Sequence, residues 1–342
     1  MIKNRRQWAE FIGIKSSSFV QDLVPEAINI TADMLVDMTD YKNSTVIPAK
    51  AGIQNNIKMD TDFHRYDDIE KPIITCLAYA QEQLIYDNYG KIIAVDAKTY
   101  ATTTRKQRVN KFGLAYHHDT KLYLHKTLAD IIIATADYLY KTEGWSTVIY
   151  DGLRTVNGAF RLYNFASDED IASNILALPA KSAHNKGLAV DSMMLDKNGC
   201  EIEMGGHFDH LDMSTNMRNY EGNKISPLAK KNRLIREAAF LRSAFSLGLL
   251  IAPLRSEFWD DRLPENRQDL WRVLDSTARV VGATPILTNK ENWKYEDFLE
   301  NWQKTFTGHE EKLQEIIGCT MPPLTEKLEF YHGNYNPIYE YT

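Results

Sequence analysis

The sequence contains few cysteines, and none of them are paired at a metal-binding or redox spacing. Only three occur in 342 residues, Cys76, Cys200 and Cys319, and no CxxC motif is present. An odd number of widely separated cysteines argues against a disulfide framework of the kind that holds small secreted proteins together. We therefore expect reduced thiols and a cytoplasmic location, with the periplasm as the alternative.

Long apolar runs are missing as well, and so is an excess of basic residues. The run at 131–136 is far shorter than the roughly 20 residues of a membrane-spanning helix. The apolar stretch at 8–14 is too short for a secretory signal and contains Glu10. A net charge of −6 argues against a dominant nucleic-acid surface. We expect neither a membrane span nor a nucleic-acid partner.

The composition is that of a globular protein, with 44% hydrophobic and 25% charged residues. The spacing of apolar residues predicts helices at 19–38, 72–86, 122–142, 228–250 and 266–281, and strands at 92–97 and 145–151. Residues 1–91 are interpreted as a mainly helical N-terminal extension with a polar loop at 42–62. The main domain is placed at 92–342, with a charged, Trp-rich helical insertion at about 283–325.

Residues 182–191 carry the strongest chemical signal in the chain. His184 and Asp191 are seven residues apart, and Gly187 between them lets the backbone turn sharply. The short apolar run 188–190 suits a buried strand that delivers Asp191 into the interior. Imidazole nitrogen and carboxylate oxygen are both zinc ligands. A catalytic zinc has three protein ligands and an open position, so one more ligand is required.

Two stretches offer that ligand with a glutamate three residues before it. One runs from Glu257 to Asp260 and the other from Glu329 to His332. Asp260 would give one histidine and two aspartates, a poorer set for zinc, whereas His332 gives two histidines and one aspartate. Glu329 would then lie beside the ion without binding it, in the position of a general base. Chemistry therefore favours His332, with the segment ending at Asp260 as the alternative.

Together these residues resemble the zinc D-alanyl-D-alanine dipeptidases of the vancomycin-resistance (VanX-like) type. The resemblance covers roughly residues 92–282 and 326–342. The segments that carry it are Ser182-x-His184-x-x-Gly187-x-Ala189-x-Asp191, Glu329-x-x-His332, Tyr100-Ala101-Thr102, Asp151-Gly152-Leu153-Arg154 and Met204-Gly205-x-x-Phe208-Asp209. It implies an α+β fold in which helices flank a small central antiparallel sheet with a single zinc site.

The resemblance also implies a role for each motif residue. His184, Asp191 and His332 would hold one zinc ion per chain, and Glu329 would act as the general base. Arg154 would stabilise the oxyanion that forms on the scissile carbonyl.

Three further residues are assigned to the substrate. Asp209 would bind the free ammonium of a dipeptide, while Tyr100 and Ser182 would line the pocket. The expected function is hydrolysis of D-Ala-D-Ala in peptidoglycan turnover. The alternatives are a D,D-carboxypeptidase that acts on longer peptidoglycan stems and a non-catalytic, zinc-stabilised binding module. Homo-oligomerisation stays open.

Overall fold

The computed structural model describes the chain in segments that together form helices and small β-sheets. The described residues are 30, 32–38, 73–75, 83–86, 92–95, 108–109, 122–165, 179–206, 225–253, 258–287, 295–323 and 337–338. The α+β class predicted from the sequence is therefore confirmed.

A five-stranded sheet lies at the centre of the fold. Its strands, in chain order, are β2 (Ile73–Thr75), β7 (Ser146–Asp151), β8 (Ala189–Leu195), β9 (Ala252–Pro253) and β10 (Asp260–Arg262). Their order across the sheet is β2-β7-β8-β10-β9. β8 pairs antiparallel with β7 and β10, and β10 pairs antiparallel with β9, whereas β2 runs parallel to β7. The predicted antiparallel sheet is thus mixed at one edge.

The two middle strands are covered on both faces. Every residue of β7 and of β8 is buried, the polar residues as well as the apolar ones. Polar side chains on these strands, such as Asp151, Asp191 and Ser192, must therefore find their partners inside the protein.

Six helices are present in the described segments. They are α1 (Lys126–Glu143), α2 (Val156–Phe165), α3 (Pro227–Ser246), α4 (Arg267–Val281), α5 (Tyr295–Phe306) and α6 (Glu310–Ile317). α1 packs against β7 and α3, and α4 packs against α3 and β9. α3 begins after Ser226, whose hydroxyl accepts a hydrogen bond from the Ala229 N–H, with Pro227 in the first turn. No helix in these segments is both long and apolar enough to cross a membrane.

Two smaller sheets involve the N-terminal region. β1 (Leu35–Asp37) pairs with β6 (Tyr123–His125), and β3 (Gln83–Tyr86) pairs with β4 (Ile92–Val95) and β5 (Arg108–Val109). The helix predicted at 72–86 is wrong where it is described, because 73–75 and 83–86 are strands. Of the helix predicted at 19–38, the described residues contain only a 3-10 turn at Ala32–Met34, directly before β1. Ile73, Ile74 and Thr75 are β-branched and pair with β7, and such residues favour a strand once a partner strand is available.

The structure also bears on the proposed division of the chain. β2 belongs to the central sheet, so part of the region before residue 92 contributes to the same body as the site. The loop at 42–62 lies outside the described residues. α5 and α6 occupy the segment predicted to be an insertion, and they bury Phe298 and Trp302 against the core. That this segment is an insertion stays a prediction.

Candidate metal centre

The stretch that carries His184 folds into a tight turn followed by a strand. Residues Ala183–Lys186 form one 3-10 turn, and the Ser182 hydroxyl accepts a hydrogen bond from the His184 N–H at 3.2 Å. Gly187 ends the turn with φ of 70°, a left-handed conformation that strains other residues. β8 starts two residues later and places Asp191 in the interior. The predicted turn and strand are both present.

A second loop, which follows β7, lies against the first. A Cβ at Gly152 would stand 2.5 Å from the Tyr123 carbonyl oxygen, so only glycine fits there. The Arg154 N–H donates to the His184 carbonyl at 3.0 Å, and the Asn185 side-chain amide donates to the Arg154 carbonyl at 2.7 Å. These bonds hold Arg154 and His184 in a fixed relation to each other.

Asp151, the last residue of β7, orients the Arg154 side chain of this second loop. One carboxylate oxygen of Asp151 accepts a hydrogen bond from the Gly152 N–H at 2.8 Å. The other oxygen accepts from Arg154 Nε at 3.1 Å and also from Arg154 Nη2. Both oxygens of Asp151 are therefore engaged by the protein. The guanidinium in turn lies with Nη2 3.9 Å from Asp191 Oδ2.

The His184 ring is oriented with one nitrogen toward Asp191. Its Nδ1 lies 2.9 Å from the Gly152 carbonyl oxygen. Because a carbonyl can only accept, Nδ1 carries the hydrogen and Nε2 presents its lone pair. Nε2 lies 3.6 Å from Asp191 Oδ1. Burial lowers the pKa of His184, and the Arg154 charge lowers it further, so the neutral ring is favoured.

This arrangement fits a metal ion. Two ligand atoms each about 2.0–2.2 Å from a tetrahedral zinc are about 3.3–3.6 Å apart, and the Nε2 to Oδ1 distance is 3.6 Å. A carbonyl bond to the other ring nitrogen is the usual support for a ligating histidine. Asp151, His184 and Asp191 form a buried group whose ligand atoms all lie within 4.8 Å of one another. This group can hold a metal ion.

Asp151 contacts the His184 ring on the side away from Nε2, since its Oδ2 lies 3.7 Å from Nδ1. The imidazole ring would therefore separate Asp151 from an ion bound between His184 Nε2 and Asp191. Asp151 holds Arg154, and His184 Nε2 and Asp191 Oδ1 are the two atoms placed to receive an ion.

The β8–β10 strand pair places further acidic residues near the site. Asp260 lies directly opposite Asp191, and the next residue, Asp261, lies opposite Val190. Because side chains alternate along a strand, we call the surface with Asp191 and Asp260 the front face. The rear face, which carries Ser192 and Asp261, lies toward α3.

Sequence reasoning considered Asp260 and set it aside in favour of His332, and it did not single out Asp261. It also missed Arg236, which meets the rear face through a hydrogen bond to Ser192 Oγ and an ion pair with Asp261. The available signal was the run Asp260-Asp261-Arg262, in which two adjacent acids must point to opposite faces of a strand.

The other predicted site residues, Tyr100, Asp209, Glu329 and His332, lie outside the described residues. Two described hydrogen bonds involve the same end of the chain as His332. The Ile338 N–H donates to the Asn185 carbonyl at 2.7 Å, and the Val156 N–H donates to the Ile338 carbonyl at 2.8 Å. The C-terminal segment thus reaches both site loops six residues after His332.

Comparison with known proteins gives a distant relative but no family. No protein-family model matches the chain. The chain is 26% identical over 156 residues to the D-alanyl-D-alanine dipeptidase of Escherichia coli (strain K12), and the match covers 46% of this chain and 74% of that enzyme. This distant similarity suggests a peptidase.

Proposed function

We propose that this protein is a zinc-dependent D-alanyl-D-alanine dipeptidase that hydrolyses D-Ala-D-Ala in the cytoplasm during peptidoglycan turnover. The observation that carries the proposal is the buried pair of His184 Nε2 and Asp191 Oδ1, 3.6 Å apart, with the Arg154 guanidinium beside it. The similarity to the E. coli dipeptidase supports the substrate class.

The ion would be held by His184, Asp191 and a third protein ligand. Imidazole and carboxylate donors suit zinc, and three such ligands leave one position open. Bound zinc lowers the pKa of a water molecule to about 7 and polarises a carbonyl group. Sequence reasoning assigns the third position to His332, and the contacts of Ile338 with the site loops support a C-terminal contribution.

Arg154 would stabilise the negative charge that develops on the scissile carbonyl oxygen. Its guanidinium is held by two contacts to Asp151 and keeps Nη2 3.9 Å from Asp191 Oδ2. A permanently charged, fixed donor needs no reorganisation when the charge appears, and such a donor is typically worth about 3–4 kcal/mol of barrier.

The remaining roles concern the proton and the substrate. Glu329 would accept the proton of the attacking water and pass it to the leaving amine. Asp209 would bind the dipeptide ammonium, and Tyr100 and Ser182 would line the pocket. The Ser182 hydroxyl accepts a hydrogen bond from the His184 N–H, and a hydroxyl can donate to substrate at the same time.

The test is D-alanine release from D-Ala-D-Ala by the purified full chain, with L-Ala-L-Ala as the control substrate. We expect release that a chelator abolishes and that added zinc restores, and no release from the L,L-dipeptide. Release that persists in chelator would contradict a metal mechanism. One bound zinc per chain without release from the dipeptide, but with release from longer peptides ending in D-Ala-D-Ala, would indicate a carboxypeptidase instead.

A further inference from the structure

Asn185 lies where the two site loops and the C-terminal segment meet. Its backbone N–H donates to the Ser182 carbonyl at 3.1 Å, and its carbonyl accepts from the Ile338 N–H at 2.7 Å. Its side-chain amide crosses to the second loop and donates to the Arg154 carbonyl at 2.7 Å. Because Asn185 is 0% exposed, bulk water does not compete for this bond, which is stronger there than at the surface.

This bond completes the support of the Arg154 backbone. On one side of the Arg154 Cα, the N–H donates to the His184 carbonyl at 3.0 Å, and on the other side the carbonyl accepts from Asn185. The far end of the side chain is held separately, by Asp151. Since Arg154 is long and flexible, the place of its guanidinium depends on where its backbone is fixed as well as on the contacts of its tip.

Stability alone does not account for a buried amide at this position. The amide nitrogen of Asn185 is bonded, whereas Oδ1 is buried and has no hydrogen-bond partner in the described part of the chain. An unsatisfied buried acceptor destabilises a folded protein at least as much as one internal hydrogen bond stabilises it. The clear contribution of this side chain is therefore the place that it gives to the Arg154 carbonyl.

The geometry of the centre makes that place important. Asp191 lies between the two groups, with Oδ1 3.6 Å from His184 Nε2 and Oδ2 3.9 Å from Arg154 Nη2. An ion at His184 and a cation at Arg154 would act on the same carbonyl oxygen of a substrate only if their separation is kept. A misplacement of about 1 Å in such an arrangement can cost about 100-fold in rate.

We propose that Asn185 is a positioning residue that sets the Arg154 guanidinium in place against the ion site of His184 and Asp191. In this role it acts through Arg154 and binds neither the ion nor the substrate. The inference rests on the proposed function for the reaction that Arg154 serves. It predicts that Asn185 controls kcat and leaves zinc affinity nearly unchanged.

The main test is a double-mutant cycle in the full chain. Asn185→Leu has nearly the same volume and no amide, and it is made in the wild type and in Arg154→Lys. Asn185→Ala is a second variant that avoids overpacking. Asn301→Leu is the matched control, because Asn301 on α5 is also 0% exposed and donates its amide to the Asp297 carbonyl at 2.7 Å. The measurements are kcat and KM for D-Ala-D-Ala and the zinc dissociation constant, for variants that thermal unfolding shows to be folded.

We expect Asn185→Leu and Asn185→Ala to lower kcat about 10- to 100-fold. The KM and the zinc dissociation constant should change less than about threefold, because the ligand atoms keep their own supports. In the Arg154→Lys background, Asn185→Leu should lower kcat less than about twofold, since residues that act as a unit are not additive. Asn301→Leu should keep the wild-type kcat.

A second measurement needs neither ion nor substrate. Hydrogen exchange of the metal-free chain reports the amides on either side of the bond that Asn185 makes, namely the N–H groups of Arg154 and Val156. We expect these amides to exchange at least about tenfold faster in Asn185→Leu and unchanged in Asn301→Leu, because the lost bond lets the loop open locally.

Two outcomes of the cycle would overturn the inference while the dipeptidase proposal stands. One is an equal loss of kcat in both backgrounds, which indicates a general structural role, and the other is a folded variant with wild-type kcat. A wild-type chain that releases no D-alanine defeats the proposed function, and hydrogen exchange then decides the role of Asn185. Faster exchange next to Arg154 keeps the positioning role, whereas unchanged exchange overturns it as well.

Discussion

On the rear face of the β8–β10 pair, Asp261 meets Arg236 at 2.5 Å, and the same guanidinium contacts Ser192 Oγ at 2.9 Å and the Trp259 carbonyl at 3.2 Å. On the front face, Asp191 and Asp260 lie one residue away, and Asp191 faces the neutral His184 ring at 3.6 Å. The two faces thus bury similar carboxylates within a few ångströms of each other. The two faces differ in the groups that neutralise the carboxylate charges.

The rear face is neutralised by the protein itself. Burial raises the pKa of Asp261 to about 7 even though Arg236 lowers it, so the carboxylate is paired or protonated near neutral pH. The same holds for Glu237, whose pKa burial raises while Arg279 opposes the change. Each face keeps one buried carboxylate oxygen without a hydrogen bond in the described part of the chain, Oδ1 of Asp260 in front and Oδ1 of Asp261 behind. The faces differ because the front face also presents His184 Nε2, 3.6 Å from Asp191 Oδ1, which suits an external ion.

The largest expected effect comes from breaking the rear face. Arg236→Met leaves the buried Asp261 without its cation and removes the donor to Ser192 Oγ. Removing one partner of a buried ion pair typically costs about 3–5 kcal/mol, so we expect that loss in the free energy of unfolding measured by urea titration at pH 8. The loss should be smaller at pH 6, because Asp261 can be protonated there.

The control for this change is the double variant Arg236→Met with Asp261→Asn, which removes both charges and should recover part of the lost stability. At urea concentrations below its unfolding midpoint, the Arg236→Met variant should still bind one metal ion. A variant of unchanged stability that has lost its metal would contradict the division between the two faces.

A smaller effect is expected from changing the fixed cation of the front face. Arg154→Lys cannot reproduce the two contacts to Asp151 made by Nε and Nη2, because an ammonium lacks the planar fork. We expect kcat for D-Ala-D-Ala to fall about 100- to 1,000-fold, with KM and zinc content nearly unchanged. Arg242→Lys on α3, whose guanidinium contacts the Glu315 and Ile316 carbonyls, is the control. A proportional rise in KM would assign Arg154 to substrate binding instead.

The smallest effect concerns His125, a buried histidine that caps the N-terminus of α1. Its Nδ1 accepts a hydrogen bond from the Thr127 N–H at 3.3 Å. Burial, assisted by Lys126, lowers its pKa to about 4. Below about pH 6.5 the unfolded state therefore binds more protons than the folded state. The stability contributed by the neutral ring is complete above pH 6.5 and is lost as the pH falls from 6.5 to 4.

At about 1.4 kcal/mol per pKa unit, the fall from 6.5 to about 4 sets an upper bound of about 3.5 kcal/mol, and solvent screening reduces the loss to about 2–3 kcal/mol. His125→Asn keeps a capping acceptor without the titration, so its unfolding free energy should depend less on pH in this window. An identical pH dependence in wild type and variant would show that other groups control acid stability.

The local structure of the site follows from short sequence signals. The serine before His184 caps its turn, and Gly187 takes the left-handed conformation that ends it.

The helices α1, α3 and α4 were predicted from apolar spacing, with boundaries that shift by a few residues. The strands β2 and β3 were missed because short apolar segments have no pairing information of their own; a neighbouring strand decides their conformation.

The sequence by itself determined that a histidine and an aspartate would meet after a glycine turn, because both depend on contacts within ten residues. Only the tertiary structure decided the environment of that pair. Asp260 lies about seventy residues from Asp191 in the chain, yet strand register places it directly opposite. Register and side-chain alternation also send Asp261 to the other face and into contact with Arg236. Such pairings arise from the packing of the whole sheet, so no local pattern specifies them.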